Sequence, residues 1–259
     1  MGPKVAWLHV APIKSLQIQS RERVTLTPRG VEEDRRFCIV DEEARMLNAK
    51  RVHAFVSVRP EFDGAMRELT LHMPDGRRVR GPVDLGDPVT VSIYRRDVPA
   101  REVRGPFTEA LSSVDGGTAR LVRFDDAGEG VDRAEKGGAT TLLSVAALDG
   151  LAEAASADGP VDPRRFRMLI GVAGVPAHAE DGWIGKRVRV GTAVVVPLGY
   201  VGRCAVTTLD PERGVSDLDT LGALAKYRGA VSPTESLPFG VWARVETPGI
   251  VAVGDDVAV

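Results

Sequence analysis

Arg203 and Cys204 stand side by side in the string VGRCAVTTLDPERG at positions 201–214. A cysteine does chemistry as its thiolate, which is both a nucleophile and a soft metal ligand, and a neighbouring cation or a run of turn amides favours that form. Arg203 supplies such a cation. The competing reading is a small apolar residue buried out of reach, a common fate of free cysteine. These residues alone leave the two readings open. The second cysteine, Cys38, lies among Phe37, Ile39 and Val40 and reads as core packing.

Three further cations occupy places where a solvated face is not the obvious explanation. Lys14 follows Pro12-Ile13, Arg35 follows Asp34 at the head of an apolar strand, and Arg167 opens the apolar run from Met168 to Val172. Each alone reads as a strand-end charge whose stem snorkels to solvent. Together with Arg203 they form the set for an anion pocket, with arginine as a forked donor and lysine as a point charge. The segment HAEDGW (178–183) puts a histidine beside two carboxylates. On a strand only His178 and Glu180 would share a face, and no serine or second histidine stands near to complete a hydrolytic triad. It therefore reads as a charged turn packed by Trp183. His9, His53 and His72 are scattered singly and read as structural. There is no GxGxxG after a strand and no GxxxxGK[ST] phosphate loop.

The elements that must position these residues are mostly short strands. Segments such as VAWLHVAPIKS, RVTLTPRG, RRFCIVD and PVTVSIYRRDVPAREV mix β-branched and apolar residues with polar ones between turn signals. Their spacing suggests a barrel or sandwich rather than alternating βαβ units. MPDGRR (73–78) is the clearest hairpin, turning at Asp75-Gly76. Helices are expected over 107–113, over 144–157 with Ser144 as N-cap, and over 217–229, where Leu218, Leu221 and Leu224 repeat and Gly229 ends the run. Near the C-terminus Val241, Ala243 and Val245 alternate with Trp242, Arg244 and Glu246, a strand with one buried face. Residues 125–139 are rich in glycine and charge and read as a loop or boundary that could act as a lid over a cleft.

Composition bounds the function. With 259 residues and 43% hydrophobic content the chain can build one large domain or two small ones. Its 34 basic and 36 acidic residues give a net charge of -2, so the overall balance favours neither nucleic acid nor an acidic membrane. Two distant cysteines lack the clustered spacing of a disulfide scaffold, a zinc site or an iron–sulfur cluster. No stretch of about 18 apolar residues and no signal-peptide pattern occurs, so a cytoplasmic protein is expected.

Read in order, PIKS, GVEEDRRF, RRFRMLI, HAEDGW, GRCAVTTLDPERG and LGALAKYRG resemble the MOSC family, named for the C-terminal domain of molybdenum cofactor sulfurase. The Arg-Cys-x-x-Thr-Thr-x-Asp-Pro string is the most specific part. The resemblance implies a mainly β fold with a few helices: an N-terminal MOSC-type β-barrel domain over 1–125 and a MOSC β-barrel domain over 126–259. It implies a molybdenum cofactor, a metal held by a pterin dithiolene, with Cys204 as metal ligand and catalytic residue. Lys14, Arg35 and Arg167 match the family's cofactor-contacting cations, and Arg203 would support the thiolate. Amidoxime-reducing proteins share this architecture and reduce N-hydroxylated small molecules. Electrons would come from a separate flavin or iron–sulfur protein, since this chain has no cluster-binding cysteines; no nucleic-acid or membrane partner is implied.

The chain departs from the family pattern at three places. Met168-Leu169 stands where the family commonly reads Pro-Asn, Asn48-Ala49-Lys50 where it has Thr-x-Arg, and Gly202 where amidoxime reducers have serine. A lysine does not reproduce an arginine's bidentate grip. Two other functions use the same residues: a sulfur carrier or transferase holding a persulfide on Cys204, and a non-catalytic pterin or anion-binding module.

Overall fold

The computed structural model describes residues 2–62, 65, 67–232 and 235–259. Among these, strands dominate and three α-helices occur, as the alternating patterns predict. The largest sheet has eight strands. From one edge to the other they are Val257–Ala258, Val188–Val190, Ala193–Gly202, Pro238–Thr247, Thr140–Ser144, Ile170–Ala173, Lys4–Val10 and Gln19–Arg21. The first strand of the chain therefore lies inside a sheet otherwise built mainly from residues beyond 139, antiparallel to Ile170–Ala173. Arg23–Leu26 likewise pairs with Gly249–Ala252. A four-stranded sheet joins Phe37–Val40, Arg120–Phe124, Arg96–Arg104 and Asp84–Ile93, and a three-stranded meander joins Arg59–Phe62, Glu68–His72 and Arg78–Pro82.

Burial explains the registers. Val241, Ala243 and Val245 are buried, and Arg244 and Glu246 are exposed. A one-residue slip would exchange these sets, losing about 1.5–3 kcal/mol for each large apolar side chain turned to water. The 73–77 turn bends as expected, but only Gly76 takes a left-handed φ, +85°; the Asp75 side chain accepts from Arg77 N at 3.0 Å instead. Cys38 is 0% exposed in the core, and burial pushes its thiol up to about 12. No helix among the described residues is long and apolar enough to cross a membrane.

Two sequence expectations need correction. Ser144 is not a helix cap: it ends strand Thr140–Ser144, the helix spans Ala146–Ala155 behind Val145, and the Ser144 hydroxyl accepts from His178 N at 2.8 Å. The helix expected from 217 starts only at Thr220, because the Asp219 carboxylate caps Gly222 N at 2.8 Å. The turn expected over 178–183 is present: Ala179–Trp183 forms a 3-10 turn entered through His178 at φ +61°. Trp183 does pack that turn, and Glu180 is wholly buried, which raises its carboxyl above the ordinary range.

Candidate functional site

The segment after the first strand is stitched to residues 34–37. Ala11 N donates to the Asp34 carboxylate at 2.8 Å, Arg35 N to Ala11 O at 2.7 Å, and Lys14 N to Phe37 O at 2.8 Å. This fixes Lys14 and Arg35 side by side. The Lys14 ammonium is nearly buried; it donates to Gly130 O at 2.8 Å and pairs with Asp132. Arg35 pairs with Asp34 and donates to Arg167 O at 3.0 Å. Arg167 follows the 3-10 turn Pro163–Phe166 and donates one amine to Leu16 O at 2.8 Å. Its other amine, Nη2, is buried without a partner among the described residues.

Arg203 leaves the end of strand Ala193–Gly202. Its guanidinium donates to Phe166 O at 2.9 Å and Phe239 O at 3.0 Å, touches Met168 Sδ at 2.8 Å, and lies over the Phe166 ring. Arg203 thus braces two chain segments behind the cysteine by holding their carbonyls. Cys204 caps the 3-10 turn Ala205–Thr208 with its carbonyl, which accepts from Thr207 N at 3.0 Å, and its side chain is left half-buried.

Lys14, Arg35, Arg167, Arg203 and Cys204 all line one cavity of about 190 Å³. Its wall carries seven cationic side chains against two carboxylates, Asp34 and Asp132. Arg133 and Arg165 pair with Glu235 and Asp217 outside that wall, which leaves Lys50, Arg167 and Arg203 without an ion-pair partner among the described residues. Burial, reinforced by the like charge of Arg35, pushes Arg167 down to about 10, and burial pushes Arg203 down to about 9. For Asp132 burial opposes ionisation, yet Lys14, Arg35 and Arg167 hold its carboxyl at about 2. Cations destabilised by desolvation and mutual repulsion gain when an anion enters. The Arg167 Nη2 and the Thr140 hydroxyl add two buried polar atoms without a partner among the described residues.

Backbone strain gathers here too. Of the eight described non-glycine residues with left-handed φ, four line this cavity: Ser15, Arg35, Tyr94 and Arg167. Strained conformations persist where surrounding structure imposes them, which happens often at binding sites. The departures also meet in the wall: Asn48, Lys50, Met168, Leu169 and Gly202 all face the same space.

Residue patterns missed Asp132, Thr140, Thr141, Tyr94 and Trp242, which complete the wall. Asp132 and Arg133 come from the glycine-rich 125–139 segment, whose charge is visible in sequence but whose partner Lys14 lies 118 residues away. Arg133 stacks over Trp242 and pairs with Glu235 at 2.7 Å, joining that segment to the loop before Pro238.

The donor set tests what the site can hold. Among the described residues no group of three or more His, Cys, Asp or Glu side chains is placed to hold a metal ion. A metal bound at Cys204 would therefore have to arrive with other ligands of its own, and a soft thiolate suits one already carried by sulfur donors. The cationic wall and the free Arg167 donor fit the phosphate of such a carrier.

Comparison with known proteins agrees with the arrangement. A MOSC N-terminal beta barrel domain model matches residues 2–108 and a MOSC domain model matches 132–258. The mitochondrial amidoxime-reducing component 1 of Xenopus laevis is 26% identical over 98% of this chain and 81% of its own length. That of Mus musculus is 29% identical with the same coverage. The molybdenum cofactor sulfurase of Caenorhabditis briggsae is 25% identical over 93% of this chain, which spans 33% of the sulfurase. With both domain models matched in order and relatives aligned over nearly its whole length, this chain belongs to the MOSC family.

Proposed function

We propose that this protein is a molybdenum-cofactor oxidoreductase that reduces N-hydroxylated small molecules with electrons from a separate flavin or iron–sulfur protein. The observation that carries the reading is a half-buried thiol, Cys204, in the wall of a cationic cavity whose Arg167 Nη2 lacks a partner among the described residues. The names of the amidoxime-reducing relatives support it.

Lys14, Arg35 and Arg167 would hold the cofactor's phosphate, with Arg167 Nη2 as the free donor and Lys14 as the point charge. Cys204 would ligate the metal through its thiolate. Arg203 acts from behind: by holding Phe166 O and Phe239 O it fixes the strand end from which Cys204 projects. When bound, such a cofactor supplies a two-electron reduction in which the N–O bond takes up two electrons and two protons and releases an amine or amidine and water. Leu169 and Met168 present apolar surface to the same space, which dries the cavity and strengthens the pull of its cations.

The test is molybdenum and released pterin per chain, on protein made in a host that synthesises the cofactor. Near-stoichiometric metal in wild type and its loss in Cys204→Ala support the reading, followed by turnover of N-hydroxy substrates. No metal in either protein sinks it. Sulfane sulfur on Cys204 in such metal-free protein would favour the sulfur-transfer reading, to which the sulfurase relative lends support.

A further inference from the structure

Of the four strained residues around the cavity, three belong to the anchoring segments of the cationic wall; Tyr94 does not. It sits at the tip of the hairpin Asp84–Ile93/Arg96–Arg104, where Ile93 faces Arg96 and leaves Tyr94-Arg95 as a two-residue turn. Such turns favour Asn or Gly because their φ is positive. Tyr94 adopts φ +55° all the same. Core packing does not explain this, since the residue is 57% exposed and its ring is approached by the Lys14 ammonium at 5.9 Å from the centroid. The strained tip instead delivers an aromatic side chain to the rim of the cavity that Cys204 and Asp132 also line. Its phenol has no hydrogen-bond partner among the described residues.

We propose that Tyr94 is a substrate-contacting residue of this cavity: its ring walls the mouth, and its phenol O–H donates a hydrogen bond to the oxygen carried on the substrate's nitrogen. Partial burial and the nearby Asp132 carboxylate push the phenol above the ordinary tyrosine range, so it remains protonated. Tyr94 therefore serves as a hydrogen-bond donor. With Lys14 behind its ring, the rim suits a flat neutral group bearing one acceptor oxygen. This assignment rests on the N-hydroxy reductase reading above.

The test is calorimetric binding of benzamidoxime to molybdenum-loaded wild type and Tyr94→Phe, which keeps the ring and removes only the hydroxyl. Fivefold to tenfold weaker binding is expected for the loss of one hydrogen bond. KM for an aryl N-hydroxy substrate should rise by the same factor with kcat within twofold. Equal affinity and equal KM in the two proteins would overturn the role of Tyr94 while leaving the reductase reading in place. Failure of loaded wild type to bind the probe would overturn the N-hydroxy reading, and this assignment with it.

Discussion

If Cys204 is the thiol through which this site works, the two cysteines must differ sharply in reactivity, and iodoacetamide labelling of metal-free protein at pH 8 measures the difference. Cys38 is 0% exposed, and burial pushes its thiol up from 9.0 to about 12. The thiolate is the reacting form, so at pH 8 only about one Cys38 in ten thousand is reactive, against roughly one in ten for a thiol at the unperturbed value. That is a factor of about a thousand from ionisation alone. Access lowers it further, because Cys38 lies in strand Phe37–Val40 and meets reagent only when the sheet opens. Peptide mass spectrometry should find one equivalent of label, all on Cys204, in native protein and two in urea. Cys204→Ala should take up label only in urea. Native labelling of Cys38 at a rate comparable to Cys204, or a Cys204 that labels only on unfolding, would refute the account of the cavity.

Two further outcomes follow from buried groups. His9 is 6% exposed and stacks on Trp7, and burial lowers its imidazole from 6.5 to about 4. Because the folded value lies below the unfolded one, its contribution is full above pH 6.5 and is lost as pH falls toward 4, about 3 kcal/mol over the window. Urea midpoints at pH 7 and pH 4.5 should show that loss shrink in His9→Gln; half-buried His178, also lowered to about 4, supplies a remainder of the same sign. An undiminished loss in His9→Gln would contradict this. A Cβ on Gly202 would stand 2.8 Å from the Glu235 carboxylate and 2.9 Å from Ser236 O. Gly202→Ser should therefore displace Glu235 from Arg133 and cost about 1–2 kcal/mol in thermal or urea unfolding. A variant as stable as wild type would show that the loop gives way freely.

The fold was legible where burial alternates. Val241, Ala243 and Val245, and the run around Cys38, announce their strands because one face or both must leave water. Helix starts were less legible, since a serine that could cap a helix can as well end a strand. Ser144 does the latter, paired with Val172 and held by His178 N. The cations of the site could be picked out because charged residues beside apolar runs are conspicuous, and the family resemblance ordered them. What holds them could not. Arg35, Arg167 and Arg203 are anchored by the carbonyls of Arg167, Leu16, Phe166 and Phe239, and a backbone carbonyl carries no residue identity. Asp132 and Tyr94 reach the cavity only through long-range folding, which no local pattern encodes.

The placement of Lys4–Val10 against Ile170–Ala173 bears on how the molecule is made. The ribosome releases the first strand long before its partner, with roughly 160 residues of synthesis between them; at about 5–20 residues per second that is a wait of roughly 8–32 s. Throughout that interval Val5, Leu8 and Val10, all buried in the finished protein, have only the short strand Gln19–Arg21 to pair with on one side. The strand is an open edge during translation, and Lys14, at its far end, cannot meet Gly130 and Asp132 until they too have emerged. The cationic cavity is thus among the last features to exist on a nascent chain, so any ligand can be captured there only after release of most of the polypeptide, and shielding of the first strand from neighbouring chains falls to whatever binds exposed apolar segments in the cell.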